Sequence, residues 1–211
     1  MSLPRALGPT TGRPWRPVLV LTVTGVALLL VASAWVDSFV AGAAVTVGVP
    51  LLAGAAAYVL DEAADEAVAA APTSLRARSV TRLVVAAVIV GLGALALGVV
   101  ALRSGSGAKA GITVQLVGLA LVAVAASAAA RRRVAEPGDA VGGALLALVL
   151  TLALSHPLDR WVSLFPSEPD LRWGGYVALW AAVAVASIAG LWWPPETRWT
   201  DAARLTRRDS R

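Results

Sequence analysis

Residues 58–82, YVLDEAADEAVAAAPTSLRARSVTR, form the one long polar interruption in the first half of an otherwise apolar chain. Between Leu60 and Ala71 the apolar residues recur at helical spacing, which places them on one helix face. The acidic residues share the opposite face: Asp61, Glu62, Asp65 and Glu66. The first half of the stretch is therefore predicted to be a short amphipathic helix.

The second half of the stretch leads from this helix into the next apolar segment. Pro72 ends the amphipathic helix, and Thr73 or Ser74 can cap a new one. The new segment begins with a basic run: Arg76, Arg78 and Arg82. Residues 58–82 are thus predicted to be a surface element that joins two membrane spans.

The composition of the whole chain predicts an integral membrane protein. Of its 211 residues 58% are hydrophobic, above the 45–50% usual for a soluble domain, and the mean hydropathy is +0.75. There is no cysteine and a single histidine, His156, so thiol chemistry and multi-histidine metal or haem sites are excluded. The bias toward Arg, Ala, Gly and Val suggests a GC-rich bacterial genome.

The apolar segments predict an all-α fold with six transmembrane helices in one membrane domain, residues 17–193. The spans are expected at about 17–36, 38–60, 80–102, 110–130, 140–156 and 175–193. Residues 1–16 and 194–211 are then polar, arginine-bearing tails. Ala32-Ser33-Ala34 resembles a signal-peptidase site, but the preceding apolar run is longer than a usual signal core, which favours a retained span.

The distribution of basic residues predicts that both termini are cytoplasmic. Fourteen of the 18 Lys and Arg residues fall in the tails and in the loops that would then face the cytoplasm. The other four lie in the outer loops: Arg103, Lys109, Arg160 and Arg172. This asymmetry follows the positive-inside rule. Residues 157–174 then form an outer hairpin with interfacial aromatic residues, namely Trp161, Phe165 and Trp173.

The predicted spans offer little chemistry. Arg82 is counted with the loop before the third span. Apart from it, the predicted spans contain no Asp, Glu, Lys or Arg, which argues against ion-coupled carriers and ion channels. Gln115 is the only amide in a span; it either lines a pathway or, the favoured interpretation, forms a hydrogen bond between helices. Ser104–Lys109 lacks the phosphate-loop pattern. His156 beside Ser155 or Asp159 does not make a catalytic triad.

The order of these elements resembles the six-span permease subunits of ABC exporters, the ABC type-2 class, as found in high-GC bacteria. The resemblance covers the whole length in topology. It implies that Leu60–Arg82 contains the coupling helix that docks on a separate ATPase subunit, through Asp61, Glu62, Asp65, Glu66, Arg76 and Arg78. It also implies that Pro157–Trp173 is a partly re-entrant hairpin near the exit of a pathway between two permeases.

Under this resemblance the chain is a permease subunit in the bacterial cytoplasmic membrane, itself without enzymatic activity or cofactor. Its partners would be an ABC ATPase, a second copy or a related permease, and the lipid bilayer, with no nucleic acid. The alternative is a scaffold or regulatory subunit that binds a partner protein or anionic lipid through the same loop and the basic C-terminal tail. A solvated loop without a partner also fits residues 58–82, and a lipid-metabolising enzyme is disfavoured because no catalytic set is present.

Reporter fusions test the predicted topology. A reporter that is active only in the cytoplasm should be active after Ala135 or Arg211 and inactive at Ser106 or Ser167, because the first two positions follow even-numbered spans and the last two follow odd-numbered ones. Activity at Ser106 would contradict the arrangement of six spans with a cytoplasmic N-terminus.

Overall fold

The computed structural model describes residues 15–36, 38–59, 75–104, 109–130, 137–155 and 173–192. These ranges contain six α-helices and no strand. The helices are α1 (Trp15–Ala34), α2 (Phe39–Tyr58), α3 (Leu75–Ser104), α4 (Lys109–Ala130), α5 (Gly138–Ser155) and α6 (Trp173–Trp192). Each predicted span coincides with one of these helices, and the predicted all-α class holds for the described part of the chain.

Five of the helices are long and apolar enough to cross a membrane: α1, α2, α3, α4 and α6. The fifth in chain order, α5, has a shorter apolar stretch, Gly138–Ala153. The helix itself has 18 residues, about 27 Å at 1.5 Å per residue. A multi-pass membrane architecture therefore rests on the five long helices.

The turn between α1 and α2 is held by Ser38. Its backbone is extended (φ −112°, ψ 156°), and its hydroxyl oxygen accepts a hydrogen bond from the Ala41 N–H at 3.4 Å. The Ser38 backbone N–H and hydroxyl both donate to the Trp35 carbonyl, at 3.0 and 2.7 Å. Ser38 thus occupies the N-cap of α2.

The α3 helix begins earlier than hydropathy predicts. Its apolar part starts near Thr81, but the helix starts at Leu75, immediately after Ser74, and runs for 30 residues. The length is about 45 Å, so α3 exceeds the hydrocarbon thickness by about 15 Å. Arginine is a good helix former, and hydropathy does not detect a charged helical extension.

The α2 helix is the centre of the bundle. It contacts α1, α3, α4 and α5. Of the residues in its apolar stretch 56% are buried, against 11% of those in α6. Most of the buried residues of α2 are glycine or alanine, and its fully buried residues also include Pro50 and Leu52. At the other extreme, α6 makes its main contact with α4.

Glycines allow the closest helix contacts. A Cβ on Gly48 would lie 3.1 Å from the Gly25 carbonyl oxygen, and a Cβ on Gly25 would lie 2.8 Å from Leu52 Cγ. The backbones of α1 and α2 therefore touch where a side chain would separate them. Glycine at both positions thus permits the closest approach of α1 and α2.

Successive contacts give the relative directions of the helices. Tyr58 meets Gly142 while Gly54 meets Leu146, so α2 and α5 are antiparallel. The helices α1 and α2 are antiparallel as well, because Gly25 meets Leu52 while Leu29 meets Gly48. By contrast, Gln115 meets Tyr176 and Gly118 meets Trp180, which makes α4 and α6 parallel.

A leucine at Gly48 should destabilise the protein, because its Cβ would meet the Gly25 carbonyl oxygen and its remaining atoms would push α1 and α2 apart. We expect a loss of about 1–3 kcal/mol in the free energy of unfolding, measured by denaturation in detergent micelles. The matched control is Gly42→Leu in the same helix, since a Cβ at Gly42 meets nothing within 4 Å. Equal stability of the two variants would contradict the assigned packing.

Candidate functional site: a polar contact between α4 and α6

A buried polar contact lies between α4 and α6. The Tyr176 hydroxyl donates a 2.7 Å hydrogen bond to Oε1 of Gln115. Both side chains are almost fully buried, with 2% and 3% exposed. The bond joins residues that are 61 positions apart in the chain, so it fixes α6 against α4 at one register.

The helix surfaces around this bond match each other. Gln115 and Gly118 lie on one face of α4 because they are three residues apart, and Tyr176 and Trp180 lie on one face of α6 because they are four apart. A Cβ on Gly118 would be 3.0 Å from Cε3 of Trp180 and 3.1 Å from its carbonyl oxygen. Gly118 therefore provides the space in which the Trp180 ring packs.

Two donors at this contact have no hydrogen-bond partner among the described residues. They are Nε2 of Gln115 and Nε1 of Trp180. Trp180 is 8% exposed. Two hydroxyls elsewhere in the described spans, on Thr22 and Ser127, are also buried without a partner. The α4–α6 contact thus combines one hydrogen bond between side chains with two donor atoms that lack a partner.

Among the described residues, the surroundings of the contact are uncharged. Among the residues that the structure describes, the charged ones lie toward helix ends: Arg16, Arg76, Arg78, Arg82, Arg103, Lys109 and Asp139. Gln115 is about 9 Å along α4 from Lys109. The contact can therefore donate and accept hydrogen bonds, but its residues supply no charge to bind an ion or drive proton transfer.

Gln115 is the predicted site residue that falls within the described side chains. The hydrogen bond to Tyr176 is the interhelical role that the sequence favoured for it, and a role in a pathway stays a prediction. The acids Asp61, Glu62, Asp65 and Glu66, with Trp161 and Phe165, lie outside the described residues. Arg76, Arg78 and Trp173 belong to helices whose backbone alone is described at those positions.

Sequence reasoning missed Tyr176 and Trp180. Both were counted only as part of the sixth span. Their spacing of four residues, with a hydroxyl and an indole N–H on one helix face, is a signal that could have marked them. Nothing in the sequence pairs this face with Gln115, because the pairing depends on which helices are neighbours.

Comparison with known proteins adds no relative. No protein-family model, curated protein or solved structure matches the chain.

A double-mutant cycle measures the interhelical hydrogen bond. Tyr176→Phe and Gln115→Leu should each destabilise the protein, and the double variant should lose less than the sum, because each single change leaves a buried partner unpaired. We expect a coupling energy of about 0.6 kcal/mol, the average for such bonds in membranes, and at most about 1.7 kcal/mol. The free energy of unfolding in detergent provides the measurement.

The control cycle pairs Tyr176→Phe with Ser127→Ala. Ser127 is fully buried on the same helix as Gln115 but lies about 18 Å further along it, so these two changes should be additive within about 0.5 kcal/mol. Additivity in the Tyr176–Gln115 cycle as well would show that the bond does not form in the membrane protein.

Proposed function

We propose that this chain is the membrane-spanning permease subunit of an ABC exporter, driven by a separate ATPase that docks between α2 and α3. The observation that carries the proposal is the continuity of α3 from Leu75 to Ser104. The helical segment with Arg76 and Arg78 continues into the apolar span as one rod. A force applied at this segment is transmitted along the helix axis.

The proposed docking segment, residues 60–74, follows α2 in the chain. The described residues around α2 end at Val59, and α2 contacts four other helices. Protein interiors are packed densely enough to transmit small displacements. A partner that moves residues 60–74 would therefore pull on the centre of the bundle and on α3 together.

Packing offers a route from the docking segment to Gln115. A Cβ on Gly93 of α3 would lie 2.7 Å from both Leu52 of α2 and Leu116 of α4. Leu116 is adjacent to Gln115 in the chain. The two helices that flank the docking segment thus meet α4 beside the buried hydrogen bond, about 27 Å along α3 from Leu75.

The energy source in this proposal lies outside the chain. The interiors of the described spans carry hydrogen-bonding groups but no charged residue, and transporters driven by ion gradients usually place charged residues at membrane depth. A partner that hydrolyses ATP supplies the missing driving force. The acidic face of residues 61–66 would meet basic residues of that partner, which favours fast and specific association.

The complete proposed arrangement has six spans with both termini in the cytoplasm. Here α5 is the fifth span, since its 18 residues fall within the range of about 17–25 residues for a transmembrane helix. The relative directions of α1, α2, α5, α4 and α6 are those of such an alternating arrangement. Two copies, or one copy and a related permease, would enclose the pathway, with Trp161, Phe165 and Trp173 at its outer end.

Charge reversal tests the docking role. The tagged chain, purified from its native membranes, should co-elute with a soluble ATPase that carries a phosphate-loop motif. Changing Asp61, Glu62, Asp65 and Glu66 to Lys should abolish this co-elution, because the altered face would repel basic residues of the partner. The matched control reverses Glu136 and Asp139, acids near the other inner loop, and should leave co-elution intact.

Two results would contradict the proposal. One is co-elution that survives the fourfold reversal with unchanged ATPase stimulation. The other is a wild-type chain that elutes as an oligomer without any ATPase, which would favour a scaffold or regulatory subunit instead.

A further inference from the structure

We propose that the turn between α1 and α2 anchors the bundle at one membrane interface, with the side chains of Trp35 and Phe39 among the headgroups and glycerol groups of the lipids. Both rings are exposed, Trp35 by 60% and Phe39 by 91%. Aromatic rings gain free energy on leaving water, and tryptophan is enriched at membrane–water interfaces. This anchor would act whether or not the chain transports a substrate.

The packing around Leu52 marks a common level on three helices. A Cβ on Gly25 of α1 would lie 2.8 Å from Leu52 Cγ, and a Cβ on Gly93 of α3 would lie 2.7 Å from Leu52 Cδ1. Gly25 and Gly93 are therefore at the same height in the bundle. Ala32 and Val100 also pack in one cluster. Each follows the glycine of its helix by seven residues, so α1 and α3 run parallel.

Residues typical of membrane interfaces lie at nearly equal distances on both sides of this level. Trp15 and Trp35 are each ten residues from Gly25, about 15 Å at 1.5 Å per residue. On α3, Arg82 and Arg103 lie eleven residues before and ten residues after the glycine at the same level. Half of a hydrocarbon core of about 30 Å is also about 15 Å. The tryptophans and the arginines thus mark the same two boundaries, with Gly25 at the midplane.

The turn presents its aromatic side chains from a fixed backbone. The Ser38 hydroxyl donates to the Trp35 carbonyl at 2.7 Å, and its oxygen accepts from the Ala41 N–H at 3.4 Å. Phe39 is the first residue of α2, so this capped helix start determines its position. Leu102 of α3, which is 86% exposed, lies at the same boundary. Together these side chains form an apolar rim at one end of the bundle.

A lipid interface suits this rim better than water or a protein partner. In water the rings would stay hydrated, at a cost in free energy. A protein partner would not require the tryptophan and arginine boundaries to coincide at half the hydrocarbon thickness, whereas a bilayer does. Arg103 is exposed at the same boundary. Its aliphatic stem can lie in lipid while its guanidinium group reaches the phosphates.

Spin labels test the anchor in the full chain. Because the chain has no cysteine, Phe39→Cys carries a nitroxide label at a single known position. In lipid nanodiscs, electron paramagnetic resonance compares collisions of the label with oxygen, which enters the bilayer, and with a water-soluble nickel complex. The label should have an intermediate depth, between free nitroxide in buffer and a label at Val23→Cys. Val23 is the matched control, since it is 65% exposed and lies two residues from Gly25.

Three results would overturn the proposal. Collisions with nickel as frequent as those of free nitroxide in buffer would place residue 39 in water. Rare collisions with both reagents would mean that protein covers it. A label at Val23→Cys no deeper than one at Val31→Cys would place the midplane elsewhere, because Val31 lies only four residues from Trp35.

A serine variant tests whether the turn holds the rim in place. Ser38→Ala removes both side-chain hydrogen bonds, so a label at residue 39 should become more mobile, with a narrower spectrum. The control Ser33→Ala removes a hydroxyl that donates to the Leu30 carbonyl within α1 and should leave the spectrum unchanged. An unchanged spectrum in Ser38→Ala would overturn the fixed turn. The depth of residue 39 is measured with Ser38 present and stays decisive if this variant folds poorly.

Discussion

The arrangement of the helices depends on how closely the neighbouring helices can pack against α2. In a bilayer the hydrophobic effect does not drive helices together, because lipid tails are as apolar as the side chains. Helix association relies instead on close van der Waals contact and on hydrogen bonds. The α2 helix meets this requirement with small residues: ten of its positions are glycine or alanine, and Gly48 lets it touch the backbone of α1 at Gly25. Four neighbours can surround α2 because its own side chains occupy so little volume.

One helix, α6, remains at the periphery of this bundle. The helices α1, α3, α4 and α5 all reach α2, whereas α6 is attached through α4. The α4–α6 contact combines close packing of Trp180 on Gly118 with the buried hydrogen bond between Tyr176 and Gln115. Together these interactions give α6 a defined position against α4.

Much of the fold could be predicted from the sequence, because the signals that define the helices are local. Apolar stretches located all six helices to within a few residues, and Thr73 or Ser74 was predicted to cap the helix α3. The central position of α2 could not be predicted, since every span is similarly apolar. Hydropathy alone would place the start of α3 near Thr81, because it reports the lipid-embedded part of a helix and not its charged extension; the helix starts at Leu75, directly after the predicted cap Ser74.

The candidate site shows the same limit. Gln115 was identifiable as the one amide in a span, and an interhelical hydrogen bond was the favoured role. Its partner was not identifiable, because Tyr176 lies 61 residues away and only the parallel packing of α4 and α6 brings the two together. The docking role of residues 60–82 rests on charge pattern and on the helices that flank it, and remains a proposal.

The peripheral position of α6 also bears on how the chain is assembled during synthesis. The helices enter the membrane from the N-terminus, and α6 is the last of the six described helices to emerge. Because α2 takes its neighbours from α1, α3, α4 and α5, the central bundle can close before α6 leaves the ribosome. The last helix then docks on a surface of α4 that is already in place, and none of the earlier contacts has to be broken to admit it.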